Sequence, residues 1–526
     1  MNIILDTLDV TKKHSIMSDP ETLGYIHHAL NLDKYSKKEF RKKLFVKIPP
    51  SLQQKYFEEY GIKSDSNFDD AVKQTIEFEW GHNDKTKKFV NFFGYPSYLI
   101  PSKGKEHDKL DPFKMLFDFQ SGVVFQTLKK IEFPMARTLI QMPTGTGKTR
   151  TAMDVIVRLL NENSHLQIIW FANREELLDQ AYESFLHVWK HAGKFEDIKI
   201  IKLWGTSEVD SIPNNKCIIF AGFQKFQGKK HLKINPDYIF VDEAHQILAQ
   251  TYESTLDSLI DYQKQTRVIG LTATPGRGIN VIQNNRLVDK FRKNIVPIKF
   301  YDEELEEKYE NNIVEYLEDR GILSKVTPLP LKTDVEIELT EEEWKYLTKL
   351  VEGDYPEDFN ERILKKLAND NTRNMLIVDK LKEYSEAKKK ILYFSTDKPQ
   401  SILIFTILQK LGIKAIHVDG GTDKKFRKQI IEKFKETDEI NVICNYNIFS
   451  TGFDVPNLDV VFIARPVNSP VLFNQMVGRG TRGVKMGGED SFILVQVIDK
   501  IKSRFIGFDP YSQYGFWDNN WKNDSV

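Results

Sequence analysis

Two stretches far apart in the chain carry residues fitted to one reaction. MPTGTGKT at 142–149 sets glycines, a lysine and threonines in a short loop. Gly145 and Gly147 have no Cβ, so backbone N–H groups beside them can turn inward on a β-phosphate. Lys148 would neutralise β- and γ-oxygens, and the Thr149 hydroxyl would complete a magnesium shell. Thr144 and Thr146 belong to the same nucleotide cradle. The pattern G-x-x-x-x-G-K-S/T has Met142 at its first glycine here. Downstream, QMVGRGTR at 475–482 offers Arg479 and Arg482, one helical turn apart, as positive charge for the far side of the same triphosphate. A phosphate loop alone says only that a nucleotide binds. A second basic segment this distant requires two lobes closing on one nucleotide, which suits a motor or switch better than a simple kinase.

The acid side of the chemistry lies between them. Asp242 and Glu243 end the run DYIFVD, and the carboxyl edge of a parallel strand is where such sheets present ligands. Asp242 would hold magnesium, largely through water, while Glu243 would orient and deprotonate the attacking water. Thr272, Ala273 and Thr274 follow the next strand, where the hydroxyls could relay nucleotide state to the cleft. Taken alone, they read equally well as a strand-end turn.

The elements that must position these groups are visible as short apolar runs. RTLIQM (137–142), LQIIWFA (166–172), KCIIFA (216–221), DYIFVD (237–242) and RVIGLTA (267–273) alternate with amphipathic stretches. Near-continuous apolar runs are expected of strands covered on both faces of a parallel sheet. The pattern restarts with KILYFS (390–395), IKAIHV (413–418), INVICNY (440–446), LDVVFIA (458–464) and SFILVQVID (491–499). Two successive α/β domains follow, at 110–300 and 373–500. The acidic, Lys-rich segment 301–372 reads as a connector with a helical insertion, and 501–526 as a tail.

The bulk numbers agree. A chain of 526 residues has room for about three domains, and 40% hydrophobic residues support real cores. Zero formal net charge confines any nucleic-acid surface to a local patch. Cys217 and Cys444, the only cysteines, lie in apolar strand runs and speak against a zinc site or a disulfide-built secreted fold. The first thirty residues lack a signal-peptide core and no stretch approaches a membrane span, so the reading is cytoplasmic. Residues 1–109 form an N-terminal accessory domain. The basic run Lys34–Lys47 and the aromatic cluster at 89–99 read there as a solvated helix face over a small core, or as a recognition surface.

Taken together, the motifs resemble those of superfamily 2 helicases. DEAH at 242–245, GTGKT, TAT, TGFDVP at 451–456 and QMVGRGTR stand in that family's order and spacing across roughly 110–500. NREELLDQ (173–180) and ILYFST (391–396) are similar to two further motifs. The wording is most similar to the motor modules of type I and III restriction enzymes and related double-strand DNA helicases. The resemblance implies two tandem RecA-like parallel-sheet domains, with ATP and Mg2+ as cofactors. It implies that Gln120 reads the adenine edge with Phe117 or Phe119 stacked nearby, although the family's usual preceding arginine is missing. Gly452 and Asp454 would sit near ribose and phosphate, and Arg479 and Arg482 would act as fingers on the transferring phosphoryl. Gln475 would couple to His245 and the attacking water.

Nucleic acid is then expected across the tops of both domains. Asn173, Arg174, Phe223, Gln224, Ser395, Thr396 and Thr451 could hold phosphates there without reading bases. The expected function is an ATP-driven motor on duplex or forked DNA. The alternatives are a nucleotide-gated switch that recruits a partner nuclease with little unwinding, and an RNA helicase. A restriction or antiviral defence pathway is implied by resemblance only.

Overall fold

The computed structural model describes residues 37–92 apart from 48, 63–67 and 81–82. It describes 115–343 apart from 195–196, 214, 230, 231, 233, 277–280, 301, 311 and 337–339, and 361–505 apart from 447, 449–454, 456, 468, 502 and 503. Thr451, Gly452 and Asp454 therefore lie outside the described residues, as do Lys34 and residues 93–99.

The first lobe is a seven-stranded sheet. Its strands are β1 (Arg137–Gln141), β2 (Gln167–Ala172), β3 (Lys199–Leu203), β4 (Cys217–Gly222), β5 (Tyr238–Val241), β6 (Arg267–Thr272) and β7 (Ile295–Pro297). They run parallel in the order β3-β4-β2-β5-β6-β1-β7. Every residue of β2 and β5 is buried, and separate apolar clusters cover the two faces. Alternating polar positions would leave charge inside such a sandwich, so the runs are apolar throughout. The order sets β5, β6 and β1 side by side, so the ends of the Asp242, Thr272 and phosphate-loop strands are neighbours. Gln141 pairs with Thr272 in register, and Met142 N donates to Thr272 O at 3.1 Å.

The second lobe repeats the plan. β8 (Lys325–Glu336), β9 (Ile391–Phe394), β10 (Ala415–Val418), β11 (Val442–Asn445), β12 (Val460–Ile463), β13 (Ser491–Ile501) and β14 (Arg504–Phe505) form one sheet. Its order is β10-β11-β9-β12-β13-β14, with β8 on β13, and only the β13–β14 pair is antiparallel. The chain is thus two parallel-sheet α/β lobes.

The structure adds strands within regions read differently from sequence. β8 lies inside the stretch taken as a connector, although it pairs with β13 over most of its length. Its Pro328 and Pro330 argue against a strand, but they are two residues apart and so withhold N–H groups from one side only. β3 is a partly exposed edge strand and β7 has three residues, the last a proline.

Among the described residues four helices precede the lobes, Lys38–Lys47, Pro50–Glu59, Phe68–Ile76 and Asp84–Phe92. Phe45, Tyr56, Phe57 and Phe89 fill the space between them, with Phe45 and Tyr56 edge to face at 5.2 Å. This aromatic core belongs to the same apolar cluster as one face of the second lobe's sheet. Part of the basic run holds the unit together. Arg41 is buried, donating from Nε and Nη2 to Ile76 O (3.1 and 2.9 Å) and from Nη2 to Phe78 O (3.0 Å), while Lys38 pairs with Glu77. Among the described residues no helix is long and apolar enough to cross a membrane.

Candidate active site between the lobes

The phosphate loop follows β1 and opens the helix Lys148–Glu162. Gly145 and Gly147 have φ of 92° and 84°, a region L side chains rarely adopt, so these two glycines make the turn possible. Thr146 is buried, its hydroxyl donating to Pro143 O at 2.7 Å. Lys148 Nζ donates to Met142 O at 3.3 Å across the loop. Gln120 backs the loop from the helix Asp118–Ile131: its Oε1 accepts from Phe117 N at 3.0 Å and its Nε2 donates to Thr146 O at 2.9 Å. The Phe117 and Phe119 rings stack on each other at 5.8 Å.

The carboxylates stand at the end of β5. Burial, then the charge of Glu243, push the Asp242 carboxyl up to about 7, against the pull of Lys148 and of the Glu243 N–H. Glu243 itself has φ 49°, a left-handed backbone that a residue with a side chain holds only when its surroundings impose it. Enclosure in the cleft lowers the Lys148 ammonium, Glu243 and Asp242 raise it, and Arg479 and Arg482 lower it further. Five charged groups from both lobes thus share one field.

Behind Glu243 runs a buried polar chain. His245 Nδ1 is 3.4 Å from Glu243 Oε2 and 3.2 Å from Thr272 Oγ1. The single Thr272 hydroxyl proton goes to Thr274 O at 2.7 Å, and the same oxygen accepts from Thr274 N at 3.0 Å. With its proton so placed the hydroxyl accepts from the ring, the arrangement in which the imidazole proton sits on Nδ1.

The second lobe closes the site. Helix Pro470–Val477 carries Gln475, whose carbonyl accepts from Arg479 Nε at 3.2 Å. Thr481 Oγ1 lies 3.1 Å from both Gly478 O and Thr144 O, a direct bond between the arginine segment and the phosphate loop. A Cβ on Gly478 would stand 2.3 Å from Thr144 Cγ2, so the arginine segment packs this closely on the Thr144 side chain only because this residue is glycine. Between the lobes is a cavity of about 860 Å³, lined among others by Lys148, Thr149, Asp242, Glu243, Arg479 and Arg482. Neither Thr481 nor the Gly478 contact was foreseen from sequence, since a threonine and a glycine within an arginine loop carry no pattern of their own.

A further contact was also missed. Glu175 and Glu176 open the helix Glu175–Ala192 of the first lobe, and Lys424 and Arg427 stand in the opening turns of Lys424–Glu436 in the second. Lys424 pairs with Glu175, and Arg427 Nη1 reaches Glu176 Oε1 at 3.2 Å. Glutamates in a first helical turn read as complements to the helix dipole, which hides their partners.

The expected nucleic-acid positions divide. Asn173, Arg174 and Gln224 follow the adjacent strands β2 and β4, with Arg174 half-buried and Gln224 exposed. Phe223 is buried between the rings of Phe171 (4.5 Å) and Tyr252 (4.3 Å). Ser395 and Thr396 are buried too. Ser395 N and Oγ both donate to Asn445 O, Thr396 N donates to Gln400 Oε1 and Thr396 Oγ1 to Ala464 O. In this arrangement their donors are occupied inside the lobe, and none is left for a phosphate.

Two family models match the chain: "Type III restriction enzyme, res subunit" over residues 113–277 and "Helicase conserved C-terminal domain" over 376–483, together just over half of the 526 residues. IRC3 of Saccharomyces cerevisiae, provisionally named an ATP-dependent helicase, is 26% identical over 379 residues, covering 70% of this chain and 49% of its own. The type I restriction enzyme EcoKI endonuclease subunit of Escherichia coli is 23% identical over 427 residues, covering 72% and 34%. The chain thus spans half or less of the length of these two relatives. The solved structure of the ATP-dependent type ISP restriction-modification enzyme LlaBIII bound to DNA aligns over 78% of this chain and 30% of that one, with TM-score 0.50 and 15% identity, a likeness of fold.

Proposed function

The chain belongs to the superfamily 2 helicases, and from that premise we propose that it is a nucleic-acid-dependent ATPase working as a motor on duplex or forked DNA. The observation that carries this reading is the convergence of Lys148, the Asp242–Glu243 pair, Arg479 and Arg482 on one cavity between two lobes.

The chemistry proposed for these residues is hydrolysis of the γ-phosphate. Lys148 and the N–H groups around Gly145 and Gly147 hold the phosphates. Glu243 takes the proton of the attacking water as its oxygen bonds to phosphorus and the bond to ADP breaks. His245, with its proton on Nδ1, steadies the Glu243 carboxylate and ties it through Thr272 to Thr274. Arg479 and Arg482 meet the charge spread over the transferring phosphoryl, an effect worth about three to five orders of magnitude in rate. Magnesium fits the site: the Asp242 and Glu243 carboxyls and the Thr149 hydroxyl are hard oxygen donors lining one cavity. Thr149 and Asp242 would hold the ion, which when bound neutralises β- and γ-oxygens.

The DNA assignment is supported by the restriction-enzyme relatives and by the LlaBIII structure, which is of a complex with DNA. Asn173, Arg174, Gln224 and Thr451 are the residues we assign to phosphates, the first three at neighbouring strand ends. A partner nuclease is part of the same proposal, the EcoKI relative being named an endonuclease subunit.

The decisive measurement is ATP turnover with duplex, forked and single-stranded DNA and with RNA. Stimulation by DNA, with strand displacement or translocation, is expected. Greater stimulation by RNA would make the chain an RNA helicase, and turnover without movement would make it a switch. Lys148→Ala and Glu243→Gln are expected to abolish turnover, the latter while still binding ATP. Arg479→Ala and Arg482→Ala are expected to lower kcat far more than ATP affinity.

A further inference from the structure

The cavity must hold a nucleoside as well as three phosphates, and most of what lines it is charged. Gln120, the residue expected to read the base, has its oxygen on Phe117 N and its amide N–H on Thr146 O, and acts here as a brace under the loop. Of the other apolar cavity residues, Leu177 and Ile431 stand on the facing helices of the interlobe ion pairs, and Val455 is buried in the second lobe's own apolar cluster.

Met486 is differently placed. Its Cε lies 3.4 Å from where a Cβ on Gly147 would be, and Gln120 Nε2 lies 2.6 Å from that same point. The side chain lines the cavity together with Gly147, Lys148 and Thr149, and packs with Phe117 on the apolar cluster beneath the loop. Yet Met486 comes from the second lobe, in the short turn Val484–Met486 that follows the arginine segment. That turn is held firmly. Lys485 N donates to Gly321 O at 2.9 Å, and Ser324 Oγ bridges Arg482 O (2.5 Å) and Glu489 O (2.6 Å). Gly487, at φ 82°, ends it.

A thioether meets a flat aromatic face favourably and adapts to it, which suits a base and offers nothing to a phosphate. We propose that Met486 is a nucleoside-contact residue delivered across the cleft, so that holding the base and drawing the lobes together are one event. The second lobe would then answer to the nucleoside through Met486 as well as to the phosphates through Arg479 and Arg482. This rests on the reading of the cavity as an ATP site.

The experiment is equilibrium binding of ATP and of inorganic tripolyphosphate, which has no base, to the full-length chain and to Met486→Ala and Met486→Leu. Met486→Ala is expected to weaken ATP binding about three- to tenfold and Met486→Leu by less than about twofold, with tripolyphosphate unchanged in both. In turnover, KM rises and kcat stays within about twofold. Equal weakening of both ligands would overturn the proposal, since Met486 would then act by supporting the loop. Unchanged ATP binding in Met486→Ala would overturn it as well. Failure of the underlying ATP reading is distinct: the wild-type chain would then bind neither ligand.

Discussion

Arg373 and Asp499 form an ion pair wholly inside the second lobe. Arg373 Nε and Nη2 donate to the two Asp499 oxygens at 2.8 and 3.1 Å, Nη1 donates to Thr396 Oγ1 at 3.1 Å, and Nη2 also reaches Ala464 O. Thr333 Oγ1 completes the set on Asp499 at 2.8 Å. One guanidinium thus ties together β8, β13 and the ends of β9 and β12, which explains why Thr396 is turned inward. Arg373→Met leaves a buried carboxylate unpaired and is expected to cost about 3–5 kcal/mol, while Arg373→Met with Asp499→Leu recovers most of it. Thermal or urea unfolding of the three variants decides this, and a single variant as stable as the wild type would show that the pair is not needed. The sequence marks such residues poorly. Lys148, Asp242 and Glu243 stand out in the sequence because the chemistry proposed for them demands fixed types at the ends of apolar runs, and the fold brings them to one cavity. Arg373 sits in the helix Asn371–Glu386 among ordinary polar residues, and its partner is more than a hundred positions away.

At the scale of elements, the lobes meet through the facing helix starts as well as through the nucleotide loops. The acidic Glu175–Glu176 turn against Lys424 and Arg427 is a clasp at the rim of the interlobe cavity, with Arg427 buried and Glu176 half-buried. Glu176→Arg or Arg427→Glu alone is expected to raise the KM for ATP by opposing closure. The combined swap is expected to recover part of the loss, with a coupling of about 1 kcal/mol that shrinks at high salt. Additive single effects at all salt concentrations would remove the clasp from the closing mechanism. Ten strands were legible because both-face burial forces an unbroken apolar run. β3, β7, β8 and β14 were not, because an edge strand tolerates lysine or proline on its open side and two or three residues make no pattern.

For the whole molecule, the helical unit before residue 93 is a lid on apolar surface as much as an appendage, because its aromatic core is continuous with one face of the second lobe. A chain beginning at residue 110 is expected to keep every candidate-site residue yet unfold at lower temperature, by about 1–3 °C for each kcal/mol of burial lost. Equal melting temperatures would make the unit energetically independent and leave recognition as its role. Gly478 and Thr144 bear on the pace of the cycle. The second lobe lies directly on the phosphate loop, and if release of used nucleotide waits on the halves parting, that step drags large bodies through solvent. Turnover at saturating ATP and DNA is therefore expected to fall as sucrose thickens the medium, in step with its viscosity, and a rate indifferent to viscosity would place the slow step in bond breaking. On this account friction, more than bond chemistry, sets the tempo of the engine.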